Sequence, residues 1–579
     1  MRRERWLAAA RRETRRFLLI VLVTAGVICG LVGVVFHLTL DVAHEALIGA
    51  ALAVSAGWAR AVAVLAVPAL VGGTLSVLVL RHSPHAGSGL TLVRAAYARD
   101  PRRLDLRAWI GTLVATTLSL GSGAPLGPEG PTVVLTSGAA AGLARLLGLP
   151  GPVVRGMIPV GTAAGIAAIF NTPLTGVVFA LEEVIGTASR GVLGGAILAA
   201  VAAAVVERKA LGGHPLLPSH PAAWNSPGEL LGFAVIGLVA GVAAGLLPQA
   251  VTQVRARLHG IAPGQGTRAV ATRGALAGLA AGALGLAAPE ILGVGYPTIG
   301  AWLSGGGTAG EAALAFTAKL LAVTIALAAP LVGGVFAPSL FLGAALGSAT
   351  GHLAGALLPG VDPGAYALVG MGAFFAGFLR TPLASVLIVF ELTRDYGLLA
   401  PLMLAVALAS LVARRVSPVT LVERQLEAEE VSAAEGLDPL SQRRVRHVMT
   451  SAPVAVRGDS TVAEAWAAVA ASGHRVFPVV DGEGLCRALV DASALAAAAA
   501  EGQGTDKVAG HARPAPVVAT PDEPLDRVSL RLGVAGTTRC PVVSSLRHPR
   551  LVGFLAPSDL LRARVRAAAE DPGFEPLGR

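Results

Sequence analysis

Charged residues are scarce in this sequence, and that scarcity restricts the class of protein it can encode. Asp, Glu, Lys and Arg together form 14% of the 579 residues, whereas a typical soluble domain carries about 25%. The deficit lies between residues 17 and 416, where apolar runs of helical length follow one another. We count roughly ten to fourteen runs, several broken by glycine or proline, and a spanning helix needs about 20 residues. The sequence therefore predicts a polytopic all-α membrane protein.

Cysteines, aromatic residues and catalytic motifs are also in short supply. Cys29, Cys486 and Cys540 are far apart, without the spacing of a disulfide framework or a metal site. We expect reduced structural thiols and no bound metal. The sequence has no His-Glu-x-x-His motif and no nucleophile elbow between a strand and a helix, so it does not indicate an enzyme. Aromatic residues form only 4% of the chain, while glycine occurs 72 times, which favours helices packed closely through small residues.

The charge that is present lies mainly at the ends of the apolar region. The net charge is +10, with arginines clustered between residues 2 and 16 and again between residues 414 and 446. Because basic segments stay on the cytoplasmic side, both termini are predicted to be cytoplasmic, with an even number of crossings. The run from Phe17 to Phe36 is too long for a signal peptide and is predicted to be a retained helix in the plasma membrane. Nothing further supports nucleic-acid binding.

One short motif places a carboxylate between two Gly-Pro steps inside the apolar region. Residues 127–131 read Gly-Pro-Glu-Gly-Pro and precede the apolar run 132–135. Glycine allows a sharp turn, and proline suits the first turn of a helix. Glu129 is therefore predicted to lie at a helix N-terminus, where unpaired N–H groups bind anions. A carboxylate there would compete with a soluble anion, as a gate does.

The apolar region contains an internal repeat. Residues 160–174 and 369–383 both end in Thr-Pro-Leu, and each is followed by an apolar stretch ending in an acid, Glu182 or Glu391, at a constant offset of 209. The Gly127–Pro131 motif has a counterpart in Gly334–Pro338, at an offset of 207. Paired segments interrupted by glycine and proline are typical of transporters built from two repeats, with the substrate site near the membrane midplane.

The chain changes character after residue 416. Residues 427–444 form a charged linker, and residues 445–500 and 508–565 each show a β-α-β-β-α order of patterns. The second copy is predicted to open with a strand at residues 516–519. Their lengths suit small α/β modules. Residues 566–579 form a tail.

The motifs together resemble the CLC family of chloride channels and chloride–proton antiporters. The resemblance spans about residues 15–426, and the C-terminal part resembles a tandem pair of CBS domains. It is carried by Gly87-Ser88-Gly89 and by the two repeat-related motifs, including the pathway residues Gly127, Gly130, Pro131, Gly334 and Pro338. The resemblance implies the CLC fold with an inverted internal repeat over residues 17–426, a basic N-terminus at 1–16, and a homodimer in the lipid bilayer.

The resemblance also implies an anion site and two proton-transfer residues. The site would be formed by the Ser88 hydroxyl between Gly87 and Gly89, and by backbone N–H groups at Val335 and Phe336. Glu129 matches the external gate, which blocks the pathway when ionised and also passes protons. Glu183 matches the internal proton-transfer acid of the exchangers.

The sequence departs from the family pattern at several positions. Pro128 replaces a basic residue at the outer mouth, and Val422 stands where a tyrosine hydroxyl normally lines the inner side of the anion site. Valine cannot donate a hydrogen bond, so we expect looser proton coupling. Thr420 is near but is predicted to lie on a different face.

The C-terminal pair departs from the nucleotide-binding pattern of CBS domains. The second copy keeps Asp559 but has Ala556 where a threonine is usual, and the first copy has Ala494 at the aspartate position. No resident cofactor is predicted. Adenine nucleotide binding at Asp559 is the alternative to a purely structural dimerisation module.

Three other ionisable residues in the apolar region receive structural interpretations. Glu182 is expected to face cytoplasmic water at a helix end, and Glu391 is expected to be structural. Lys319 is expected to snorkel or to pair rather than to act in the anion path.

The leading functional prediction is exchange of chloride, or a related monovalent anion, for protons. In it, Glu129 is the gate and Glu183 the internal relay, with coupling loosened by Val422. The alternative is a passive voltage- or pH-gated chloride channel of the same fold. A more remote alternative, a CBS-regulated cation transporter, would need several acids converging in the membrane, whereas this chain offers helix N-termini.

Overall fold

The computed structural model describes residues 2–82, 89–186, 190–212, 217, 224, 228–394, 396–428, 440 and 443–570. The chain divides into two compact units, Met1–Ala433 and Ala434–Arg579. Each is described by itself.

The first unit is all-helical, and its first repeat holds nine α-helices among the described residues. They are α1 (Arg2–His44), α2 (Ala50–Leu52), α3 (Gly57–His82), α4 (Gly89–Ala98), α5 (Leu106–Gly121), α6 (Glu129–Leu146), α7 (Gly151–Phe170), α8 (Pro173–Phe179) and α9 (Arg190–Leu211). Two π-helical turns (Glu45–Gly49 and Ala180–Ile185) and a 3₁₀ turn (Pro101–Arg103) occur between them.

The second repeat follows with another nine α-helices in the described part of the chain. They are α10 (Glu229–Ile261), α11 (Thr267–Ala287), α12 (Tyr296–Leu303), α13 (Ala309–Ala328), α14 (Phe336–Leu357), α15 (Pro363–Leu379), α16 (Pro382–Thr393), α17 (Leu399–Val416) and α18 (Leu421–Ala428), with a 3₁₀ turn at Pro289–Ile291. Side chains cap several of them, as where the Thr308 hydroxyl accepts from Glu311 N and Glu311 accepts from Thr308 N before α13.

Eight helices of the described chain are long and apolar enough to cross a membrane, which confirms the prediction of a polytopic membrane protein. Fewer reach that length than the apolar runs suggested. The reason is that proline starts new, short helices: α8 has 7 residues and α16 has 12.

The predicted repeat is present in the structure. Helices α7 and α15 both end at a residue with a left-handed backbone, Asn171 (φ 56°) and Arg380 (φ 62°), which are 209 positions apart. The packing is repeated as well, because α6 lies on α7 and α14 lies on α15. At these contacts a glycine lies against backbone. A Cβ on Gly161 would fall 2.6 Å from Ser137 Cα, and one on Gly370 would fall 2.8 Å from Gly347 Cα.

The second unit is α/β. Its elements are β1 (Val456–Arg457), α19 (Val462–Val469), β2 (Val476–Val480), β3 (Cys486–Asp491), α20 (Ala492–Ala500), α21 (Val508–His511), β4 (Arg513–Pro514), α22 (Leu525–Val534), β5 (Cys540–Val543), β6 (Leu551–Leu555) and α23 (Pro557–Glu570), with 3₁₀ turns at Val445–His447 and Ala470–Ser472. The strands form a mixed sheet in the order β1-β2-β3-β4 and a separate antiparallel pair, β5-β6.

The predicted β-α-β-β-α order therefore occurs twice, but the strand that opens the second copy differs from expectation. Strand β4 pairs antiparallel with β3 of the first copy. The residues expected to form that strand, 516–519, make only a single parallel bridge, Ala519 with Val542. Pro514 and Pro516 have no N–H to donate, which limits a regular ladder here.

Candidate functional site

The two repeat-related Gly/Pro motifs meet in the structure. Gly127 N donates to Gly334 O over 2.8 Å, and Gly334 N donates to Gly127 O over 2.5 Å. This antiparallel bridge places the start of α6 beside the start of α14. The N-cap residues Pro128 and Val335 provide no side-chain cap, so the first N–H groups of both helices are left to other acceptors.

Glu129 occupies the space at these helix starts. Its side chain is 1% exposed, and its Oε1 accepts from Ala337 N of α14 over 3.1 Å. Its Oε2 has no hydrogen-bond partner among the described residues. The carboxylate of the first repeat therefore accepts a hydrogen bond from a backbone N–H group of the second repeat. That group lies at a helix N-terminus, the kind of site that binds anions.

A cavity of about 270 Å³ extends from Glu129 and Gly130 toward the start of α18. Val335 and Phe336, whose backbone N–H groups the resemblance assigns to the anion site, both line it. Gly89 also lines it and has a left-handed backbone, with φ 41°. Gly87 and Ser88 lie outside the described residues.

Aromatic packing fixes the start of α14. The Phe336 ring lies 4.2 Å from Phe375 and 5.0 Å from Phe170, measured between ring centroids. Phe179 makes an edge contact at 5.6 Å. Rings from both repeats thus hold Phe336, and with it the first backbone donors of α14.

Glu183 lies in the π-helical turn after α8 and is 8% exposed. It is not among the residues that line the cavity. Arg94 of α4 donates from Nη1 to Glu183 Oε1 over 3.2 Å. Arg94 was not predicted from the sequence, although it is the single arginine within the apolar stretch of α4.

Glu391 binds the N-terminus of a helix from the other repeat. Its Oε1 accepts from Leu174 N over 3.0 Å, and its Oε2 accepts from Thr175 N and Thr175 Oγ1 over 2.7 and 2.6 Å. The expected structural role is confirmed, and its basis is a cap on α8.

Glu182 of the first repeat makes the equivalent contact with a helix of the second repeat. Its Oε1 accepts from Leu383 N over 3.1 Å, and its Oε2 accepts from Ala384 N over 2.9 Å. Glu182 is only half-buried, so the prediction that it faces water at a helix end still stands, but its carboxylate also has a protein partner that the sequence did not indicate. The side chain is held by the first turn of α16, whose unpaired N–H groups attract a carboxylate.

Lys319 is fully buried, so the prediction of snorkelling was wrong and that of pairing was right. Its Nζ donates to Ile291 O over 2.8 Å and to Gly293 O over 2.6 Å, and lies 4.9 Å from the centre of the Phe341 ring. Its positive charge also interacts with the Glu129 carboxylate. Lys319 of the second repeat thus interacts electrostatically with Glu129, whereas the neighbouring Pro128 carries no charge.

Val422, which the resemblance places at the inner side of the anion site, lines the cavity at the start of α18. Thr420 lines it too, so the expectation that Thr420 lies on a different face was wrong. The reason is its place before α18. Thr420 N donates to Glu423 Oε2 over 2.7 Å, and Glu423 N donates to Thr420 Oγ1 over 3.1 Å. This capping box holds Thr420 outside the helix, beside the cavity.

Asp559 lies in the second unit and is 3% exposed. Its Oδ2 accepts from Ala556 N over 2.9 Å, and its Oδ1 accepts from Arg562 Nη2 over 2.5 Å. Both oxygens are therefore used at the start of α23. Within the described ranges no group of three or more His, Cys, Asp or Glu side chains could hold a metal ion.

Comparison with known proteins agrees with this geometry. A family model described as "Voltage gated chloride channel" matches residues 71–414, and a "CBS domain" model matches residues 445–501. The chain is 34% identical over 358 residues to a protein of Ralstonia nicotianae named as ClcB-like, covering 60% of this chain and 81% of that protein. It is 30% identical over 425 residues to the H⁺/Cl⁻ exchange transporter ClcA of Vibrio parahaemolyticus, covering 70% and 88%.

Solved structures show the same fold. One of a eukaryotic CLC transporter matches with a TM-score of 0.62 at 20% identity, covering 93% of this chain and 98% of that one. One of a slow cyanobacterial Cl⁻/H⁺ antiporter matches with a TM-score of 0.63 at 24% identity, covering 71% and 97%.

Proposed function

The chain belongs to the voltage-gated chloride channel family, the CLC proteins, and we propose that it exchanges chloride, or a related monovalent anion, for protons. It is a membrane transport protein and not an enzyme. The observation that carries the proposal is the bond from Ala337 N to Glu129 Oε1, at 3.1 Å. It places an ionisable group on donors that an anion would otherwise use.

Proton and anion movement are linked through this competition. While Glu129 is ionised, its carboxylate holds the Ala337 N–H group in the first turn of α14 and excludes a second negative charge. Protonation removes its charge and weakens its attraction to those donors, so that an anion can take its place. In each cycle, Glu129 therefore binds a proton as an anion enters the site.

Glu183 is proposed to pass protons between Glu129 and the opposite side of the membrane. It is a buried carboxylate that does not line the cavity. A proton that travels by way of Glu183 therefore leaves the route used by anions. An ionisable residue buried at membrane depth is costly and points to such a role.

The aliphatic Val422 at the far end of the cavity favours loosened coupling. A side chain without a donor cannot hold an anion in place while a proton moves. Complete loss of coupling would give the second candidate function, a passive chloride channel. A shift of the reversal potential when a proton gradient is imposed separates exchange from passive conduction.

We propose that the protein is a homodimer in the plasma membrane with both termini in the cytoplasm. The arginine clusters at residues 2–16 and 414–446 support the orientation. Chemical cross-linking in membranes and protease access from each side would test assembly and orientation.

For the C-terminal unit we propose a structural role in assembly. Both oxygens of Asp559 are engaged, so an adenine nucleotide that used this carboxylate would first displace Arg562. Calorimetric titration of the full chain with ATP tests the proposal. Saturable binding that Asp559→Asn abolishes would contradict it.

The exchange proposal is tested by recording anion efflux and pH together in proteoliposomes. We expect Glu129→Gln to let anions pass while proton movement is lost, and Glu183→Gln to abolish proton movement selectively. Asp41→Asn is the matched control, because Asp41 is an exposed acid on α1. If both variants move protons as the unmodified protein does, the roles assigned to Glu129 and Glu183 are wrong.

A further inference from the structure

The connection between α10 and α11, residues 262–266, lies in a strongly basic part of the chain that the proposed exchange does not use. Residues 230–289 contain no aspartate or glutamate. Their four arginines all fall between residues 255 and 273, and two of them, Arg257 and Arg268, are exposed. We infer that Arg257 and Arg268 bind the phosphate group of an anionic phospholipid at the membrane surface.

The exposed face of α10 shows where the hydrocarbon core of the membrane ends. Helix α10 has 33 residues and is therefore about 50 Å long, whereas the hydrocarbon core is about 30 Å thick. Aliphatic side chains are exposed along one face of the helix from Leu231 to Leu246. The same face continues through Ala250 to Gln253 and Arg257. The stretch from Leu231 to Ala250 spans about 28 Å and fills the core, so Gln253 and Arg257 lie at the level of the lipid headgroups.

Helix α11 shows the same change along its exposed face. Leu279 and Leu286 are exposed in its second half, and Thr272 and Arg268 are exposed on the same face nearer the connection. Because only residues 262–266 separate the two helices, Arg257 and Arg268 lie at the same surface of the membrane. Arg268 stands in the first turn of α11, where the helix dipole disfavours a cation, so a bound anion would stabilise this position.

A third arginine holds the connection in one shape. Arg273 is 4% exposed, and its Nη1 donates to Ala262 O over 3.1 Å and to Gly264 O over 3.0 Å. Arg273 therefore binds the protein itself. By contrast, no hydrogen bond or ion pair joins the guanidinium group of Arg257 or Arg268 to any other residue that the structure describes. The backbone is thus fixed, while two cations beside it retain their donors for a ligand.

The chemistry of these groups matches a lipid phosphate. A guanidinium group stays charged at physiological pH and binds phosphate oxygens through paired N–H groups. Basic residues at the end of a spanning helix attract anionic lipids in particular. Ile261, which lies between the two arginines in the sequence, is 67% exposed and offers an apolar contact for an acyl chain. A soluble phosphate has no acyl chain for that surface, so the combination favours a lipid.

The test is titration of the purified full chain in detergent, with bound molecules counted by native mass spectrometry. The probes are dioleoylphosphatidylglycerol, dioleoylphosphatidylcholine and inorganic phosphate. We expect phosphatidylglycerol to bind about tenfold more tightly than phosphatidylcholine, because two arginines contact its net negative charge. Arg257→Gln and Arg268→Gln should each weaken phosphatidylglycerol binding by about fivefold, the contribution of one arginine near an anionic lipid. Inorganic phosphate should not show saturable binding that depends on either arginine.

Arg16→Gln is the matched control, because Arg16 is exposed at the start of the spanning stretch of α1. It should change phosphatidylglycerol binding less than about twofold. Melting temperatures identify any variant that does not fold, and either folded single variant decides the question.

Three results would overturn the site. Equal binding of the two lipids would show that the headgroup charge is not recognised. An equal loss in Arg16→Gln would show only diffuse attraction between basic residues and anionic lipid. Binding of inorganic phosphate that depends on Arg257 and Arg268, without a preference for phosphatidylglycerol, would show a site for soluble anions. None of these results bears on anion exchange, since neither arginine lines the cavity.

Discussion

Arg94 and Glu183 form an ion pair, with 3.2 Å between Nη1 and Oε1, and their side chains are 19% and 9% exposed. The proposed proton relay is therefore held by a cation from α4. Any variant that removes one partner leaves an opposite charge in a poorly hydrated environment.

This relationship predicts a compensating pair of substitutions. Glu183→Gln and Arg94→Gln should each lower stability, by about 3 kcal/mol if the pair behaves as fully buried and by less because Arg94 is partly exposed. The double variant should recover much of the loss. Melting temperatures in detergent measure all four proteins. Additive losses in the double variant would show that the two side chains do not stabilise each other.

Glu391 caps α8 and Glu182 caps α16, and the two caps predict that the two acids contribute unequally to stability. Glu391 accepts three hydrogen bonds and Glu182 accepts two. Loss of a helix cap costs about 1 kcal/mol, ranging to about 2. We therefore expect Glu391→Ala to lower the melting temperature more than Glu182→Ala does. Glu45→Ala, at an exposed position, is the control. Equal and negligible effects at both acids would argue against the caps.

Close helix contacts predict that alanine is harmful at two glycines and harmless at a third. Gly161→Ala and Gly370→Ala each place a Cβ within 3 Å of backbone on the neighbouring helix, and overpacking of this kind costs about 1 to 3 kcal/mol. Gly156 lies in the same helix as Gly161, with nothing near its added Cβ. Gly156→Ala should therefore be neutral or stabilising by up to about 1 kcal/mol. Melting curves of the three variants decide this.

The buried thiols of the second unit predict a dependence on alkaline pH. Burial raises the pKa of Cys486 from 9.0 to about 11 and the pKa of Cys540 from 9.0 to about 12. The folded state thus disfavours the thiolate. Its stability is fully present below pH 9, where thiols are protonated in both states, and falls as the pH rises from 9 toward 11 and 12.

Alkylation with iodoacetamide followed by peptide mapping measures this effect. At pH 8 the folded protein should leave both thiols unmodified, while denatured protein reacts at both. Rapid labelling of Cys540 in the folded protein at pH 8 would be inconsistent with its burial.

The sequence alone predicted the parts of the structure that depend on local chemistry or on repetition. The constant offset of 209 predicted an internal repeat, and the Gly-Pro steps around Glu129 predicted a helix start, which is where α6 begins. The membrane class followed from composition, and the two α/β modules followed from their alternating patterns.

The contacts that the sequence could not predict join residues far apart in the chain. Glu182 meets α16 some 200 positions away, and Arg94 meets Glu183 across 89. No local pattern encodes such partners, because they arise only when the two repeats pack together. Thr420 was misplaced for a different reason. Thr420 precedes α18 as its cap, so its side chain does not follow the faces of that helix.

The account depends most on Glu129 competing with the anion for the first N–H groups of α14. Chloride affinity of the purified protein tests this directly, by calorimetry on the unmodified chain, Glu129→Gln and the exposed control Asp41→Asn. We predict that Glu129→Gln binds chloride about tenfold more tightly, or better, because its neutral side chain no longer opposes a negative ion, while the control is unchanged. Equal affinity in all three proteins would contradict the account.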